Sequence, residues 1–144
     1  MKTIEEKYQP IYKEILVVLQ KKYNYMSEVC RLTGELENAL QIDDRVSTQM
    51  LIEMRQEELD GIRQCDKNLQ LYIESMPAEE RSWLEKAVTG LVAQSEEYAE
   101  EDNMILRISE SIRSAWEKTV RIDKHVNQKL AGEDSFYREQ KDTE

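Results

Sequence analysis

Little in this sequence makes turns. Its 144 residues include 4 Gly and 2 Pro, too few for the tight hairpins of a β-rich domain. Aromatic residues are sparse, with 1 Phe, 2 Trp and 7 Tyr, which argues against a thick globular core. The two cysteines, Cys30 and Cys65, give no disulfide framework. The lone histidine, His125, has Ile122 three residues before it. That excludes the Glu-x-x-His pairs of a carboxylate-bridged di-iron bundle. No nucleotide loop, nucleophile elbow or zinc spacing occurs, so neither an enzyme nor a cofactor is expected.

Long apolar runs are missing too. The longest, Ile15 to Leu19, falls far short of the ~20 residues a membrane span needs, and no membrane insertion is expected. The N-terminus, Met1-Lys2-Thr3-Ile4-Glu5-Glu6, leads into a charged helix with no cleavage signal. A soluble, cytoplasmic protein is the expectation. Positive charge is in deficit, with 20 basic against 30 acidic residues and a net charge of −10. The densest basic stretch, Arg113 to Lys129, is interrupted by Glu117 and Asp123. It makes a poor phosphate-binding patch, and no nucleic-acid partner is expected.

What is present is helix-forming: Leu, Glu, Lys, Gln and Arg dominate. A 4–3 apolar repeat runs through Leu84, Val88, Leu91, Tyr98, Ile105, Ile112, Trp116 and Val126 to Leu130. Such a repeat describes a helix with a seam for other helices. Two earlier stretches repeat the pattern. The first helix, about Thr3 to Leu40, carries Ile4, Tyr8, Ile11, Ile15, Val18, Tyr25, Val29, Leu32 and Leu36. A second column, Tyr12, Leu19, Met26 and Leu40, widens its stripe enough to touch two neighbours. Pro10 falls in its third turn, where it would bend or delay the helix. The second helix, about Arg45 to Ser75, carries Leu51, Ile62, Cys65, Leu69 and Tyr72. Asp43-Asp44 offers an N-cap at the first break. Pro77 marks the second, with Glu79 and Glu80 in the following first turn.

The expected fold is therefore all-α: an elongated antiparallel bundle of three long helices with coiled-coil-like seams. Residues 1–131 form its single domain, and Gly132 caps the last helix ahead of a polar, acidic tail, 132–144. The acidic cluster Glu96, Glu97, Glu100, Glu101 and Asp102 reads as a solvated helix face. If helices two and three turn at Met76-Pro77, Arg55 faces Tyr98, one turn from Asp102, and Glu58 faces Ser95. That predicts a polar layer fixing the register.

Three stretches carry a family resemblance. One is Gly34-Glu35-Leu36-Glu37-Asn38-Ala39-Leu40-Gln41-Ile42-Asp43-Asp44, a Leu-x-x-Ala-Leu ending before an acidic turn. The next is the following helix with Leu51, Glu57-Glu58-Leu59 and Ile62. The third is Glu101-Asp102-Asn103-Met104-Ile105-Leu106, an acidic-Asn-x-x-Leu step midway along a long last helix. In this order the chain resembles the FlgN-type flagellar export chaperones, over about residues 8 to 130. The resemblance implies a cytoplasmic, non-catalytic helical chaperone. It would bind hook–filament junction proteins through its C-terminal part, prevent their premature self-association, and deliver them to the flagellar type III export apparatus. A coiled-coil adaptor or oligomeric scaffold is the alternative.

The same turn at Pro77 places Asp43 opposite Glu110. About 20 residues of helix three, roughly 30 Å, then overhang the hairpin. Ile112, Trp116, Thr119, Val120, Val126 and Leu130 would be left uncovered, bordered by Arg113, Lys118, Arg121 and Lys124. Apolar residues on an uncovered helix mark a partner site. Client helices are the expected occupant; the competing ways to bury the face are a homodimer, or a break of helix three at Gly90 that pulls its end back over the bundle.

Overall fold

The computed structural model of the protein describes residues 3 to 142, with side chains to Gln128. Those residues are helical, with no strand among them: a short 3-10 turn, Glu6–Tyr8, then α1 (Gln9–Gln41), α2 (Arg45–Glu74), α3 (Ala78–Ala87) and α4 (Glu100–Asp142). The count is four where the repeat predicts three.

The breaks follow from local chemistry. α1 starts at Gln9, so Pro10 sits in its first turn, not its third. A missing N–H costs nothing there, because first-turn donors have no intrahelical partner. Its other end closes on Asp43, whose φ of 54° is left-handed. Asp44 N–H then reaches Ala39 O at 2.9 Å and Asp43 N–H reaches Leu40 O at 3.3 Å. These are the two bonds of a Schellman ending. Asp44 at once caps α2, accepting from Ser47 N–H at 3.0 Å and from Ser47 Oγ at 2.6 Å. Those bonds hold its carboxyl below the ordinary range.

α1 is the central helix. Its wide stripe packs on both α2 and α4, as two apolar columns require. Facing residues on α1 and α2 run in opposite senses: Lys22 meets Asp66 at 2.7 Å, and Thr33 meets Arg55. α4 runs the same way as α1, with Leu16 beside Met104 at one end and Leu40 beside Val126 at the other. The core threads between them through Ile15, Leu19, Met26, Val29, Ile62, Leu69, Ile105 and Ile112.

The single long third helix is not formed. The helix stops at Ala87, and residues 88–99 are irregular. Gly90 has φ +77°, and a Cβ there would lie 2.6 Å from Ser109 O and 2.8 Å from Arg113 Cβ. Only glycine permits that conformation together with so close an approach to α4. Leu84 and Ala87 of α3 are fully buried, and Val88 and Val92 pack against the core. Val88 and Val92 thus reach the core from a segment that is not a helix, while Leu91 of the apolar repeat is 67% exposed. At the far end α4 runs on through Gly132 to Asp142, so Gly132 is not its C-cap.

Candidate partner-binding surface

α4 begins in the acidic cluster. Glu100, Glu101 and Asp102 form its first turn, where carboxylates complement the unpaired N–H groups and the helix dipole. The cluster is therefore a helix start, and the Glu101-to-Leu106 step stands at a terminus, not midway along a helix.

Two residues of that step fasten the preceding chain. Asp102 Oδ1 accepts from Trp83 Nε1 at 2.9 Å, tying α3 to α4. The Trp83 ring packs on Tyr98 with centroids 4.9 Å apart. Tyr12 of α1 is buried nearby, and burial together with the adjacent Asp102 carboxylate raises its phenol pKa. Asn103 clamps the irregular segment at both its polar ends. Its Nδ2 donates to Ser95 O at 2.8 Å, and its Oδ1 accepts from Ser95 N–H at 3.0 Å.

The expected polar layer exists with other partners. Arg55 Nη1 lies 2.7 Å from Asp123 Oδ1 and 3.5 Å from Thr33 Oγ1, joining all three long helices. The two ionic side chains are 17% and 32% exposed. Tyr98 and Asp102 are not its partners, and Ser95 is held by Asn103 instead of facing Glu58. α3 and residues 88–99 lie between α2 and α4 in the chain, and they slide the register of α4 far beyond what a turn at Pro77 gives.

That shift removes the expected overhang from Glu110. α4 lies along the hairpin to its tip, and Val126 is buried beside Leu40 and Gln41. Ile112 and Thr119 are buried as well. These three residues are core and not uncovered. Thr119 Oγ1 donates to Ala115 O at 2.7 Å, which satisfies its hydroxyl. Leu130 lies outside the residues whose side chains are described. Trp116 and Val120 remain at the surface, Trp116 with 48% of its area exposed and Val120 half-buried.

Trp116 stands at the mouth of a groove between the α1–α2 pair and α4. Met26, Ile62 and Val88 give it apolar walls, and the Lys22–Asp66 pair stands at its rim. Val120 continues the exposed strip, with Arg113 and Arg121 beside it. Arg113 is engaged by Glu117 at 3.0 Å. Lys118 does not border this strip. It faces α1 on another side, near Cys30 and Gly34.

His125 is exposed beside Glu37 at the hairpin tip. No group of three or more potential metal ligands occurs among the described residues. Cys30 and Cys65 are free thiols. Cys65 is buried, and that burial raises its pKa. No helix among the described residues is long and apolar enough to cross a membrane.

The sequence reading missed Trp83 and the pairing of Ser95 with Asn103. One usable signal was present: three consecutive acidic residues ahead of an apolar periodic stretch mark a helix start. No protein-family model matches the chain, and neither a characterised protein nor a solved structure shows significant similarity to it.

Proposed function

We propose that this protein is a non-catalytic export chaperone of the FlgN type. Working in the cytoplasm, it holds hook–filament junction proteins until the flagellar type III export apparatus accepts them. The working unit is an elongated bundle of three long helices, and client helices pack on the outer strip of α4. The observation that carries the reading is Trp116. A large indole stands nearly half exposed beside Val120, over a groove walled by Met26, Ile62 and Val88 with Arg113 at its edge. A half-exposed Trp with aliphatic neighbours is a favoured anchor for a helix in a groove.

The test is the double substitution Trp116→Ala, Val120→Ala, assayed for binding to purified hook–filament junction proteins. Both positions are at the surface, so the variant stays helical and monomeric while client affinity falls by tenfold or more. Truncation after Glu110 is no test, because it removes the buried Ile112, Thr119 and Val126. Unchanged client affinity in the folded double variant would refute the reading.

A further inference from the structure

A second groove follows the seam between α1 and α4, marked by two depressions that residues of those two helices alone line. One end is walled by Leu16 and Tyr23 of α1 and by Met104 and Ile108 of α4. The other is walled by Cys30 and Gly34 against Ala115 and Ile122. From Leu16 to Gly34 it runs roughly 27 Å at the α-helical rise, enough for a partner helix of five turns. Its floor is apolar and its rim is basic. Arg107 stands at the first end, and Arg31 and Lys118 at the second. No acidic residue lines either end, although the chain as a whole carries a net charge of −10. Arg31 is held by Glu28 and Glu35. Arg107 and Lys118 make no ion pair among the described residues.

Gly34 supplies an independent sign. It sits inside α1, where glycine costs about 1 kcal/mol against alanine. A Cβ there would meet nothing within 4 Å, so nothing in the described chain requires glycine. A helix laid closely across α1 at that point would.

We propose that this groove binds an acidic amphipathic helix of a partner protein. The apolar stripe of the partner lies on the Leu16-to-Ile122 floor, its carboxylates meet Arg107 and Lys118, and its backbone crosses closest at Gly34. The inference does not rest on the role given to Trp116, which lines the other groove.

The probe is a labelled synthetic helix with Leu at positions i, i+3, i+4 and i+7 and Glu on both flanks. Its control carries Lys in place of Glu. Each is titrated against the full chain by fluorescence anisotropy. The acidic peptide binds saturably and the basic one does not. Gly34→Leu fills the open space and weakens binding at least tenfold, about 1.4 kcal/mol, while circular dichroism shows the helical content retained. Arg107→Glu with Lys118→Glu weakens the acidic peptide and admits the basic one. Trp116→Ala changes neither. Equal binding of the two peptides, no saturable binding of the acidic one, or an affinity indifferent to Gly34→Leu overturns the proposal. A free chain that sediments as a dimer and becomes monomeric on Gly34→Leu overturns it too, because a second copy then fills the groove.

Discussion

Alanine in place of glycine should have opposite effects at two positions of this chain. At Gly34 the backbone is helical and an added Cβ touches nothing. Gly34→Ala removes the entropic cost of glycine and should raise stability by about 0.5–1 kcal/mol. At Gly90 the φ of +77° is one L-residues seldom adopt, at a cost of about 1–2 kcal/mol. The new methyl would also meet the Ser109 carbonyl oxygen at 2.6 Å and Arg113 Cβ at 2.8 Å. A helix carbonyl cannot swing aside as a side-chain tip can, so residues 88–99 must lift from α4. That overpacking adds about 1–3 kcal/mol. Gly90→Ala should thus lose about 2–5 kcal/mol in total. For a domain of this size each kcal/mol moves Tm by about 2–4 °C. Thermal unfolding followed at 222 nm should place Gly34→Ala a few degrees above the parent and Gly90→Ala about 4–20 °C below it. A Gly90→Ala protein as stable as the parent would mean that the segment does not lie against α4 as described.

Other substitutions probe the remaining joints. Arg55→Leu or Asp123→Leu alone should cost about 1–3 kcal/mol, because each strands a half-buried charge, while the double substitution should come within about 1 kcal/mol of the parent. Urea unfolding of the four proteins measures this, and a double loss equal to the sum of the single losses would show that the two residues do not act as a pair. Asn103→Ala frees Ser95 N–H and leaves Ser95 O to Tyr98 N–H alone, and hydrogen exchange should then rise in residues 91–98 while α1 and α2 keep their protection. The Asp44 carboxyl is depressed, so its contribution is present above the ordinary carboxylate range and is lost as pH falls through its lowered value. Asp44→Ala should therefore be less stable than the parent at neutral pH, with the gap closing in strong acid. A gap that persists unchanged into strong acid would mean that the cap does not act through its charge.

Three features could be read directly from the sequence. Asp44 followed by Ser47 placed the start of α2, Pro77 placed the start of α3, and the doubled stripe of α1 implied two neighbours. The break after Ala87 could not be read from periodicity, because Leu84, Val88, Leu91 and Tyr98 keep a helical spacing across it, although Val88 and Tyr98 are only partly buried and Leu91 is 67% exposed. A period in the sequence does not report the backbone that carries it. The one local clue was Gly90, and its significance depends on how near α4 comes, which is a tertiary fact. The candidate surface suffered from the same error. With α4 displaced along the hairpin, half of the apolar residues expected outside are core, and Trp116 and Val120 remain outside because they lie off the buried stripe.

The fastenings of α4 are unevenly distributed. Trp83 to Asp102, Ser95 to Asn103 and the close approach of Gly90 to Ser109 all fall within its first three turns. Beyond Arg113, side-chain packing and, among the described residues, the single Arg55–Asp123 pair hold it to the hairpin. Mechanically it is a lever pinned at one end and latched near the other. Releasing the latch would let the far half swing while the pinned half keeps its place. The motion uncovers Thr119 and Val126 together with the facing side of α1, so a modest local opening would expose a continuous apolar strip without unfolding the domain.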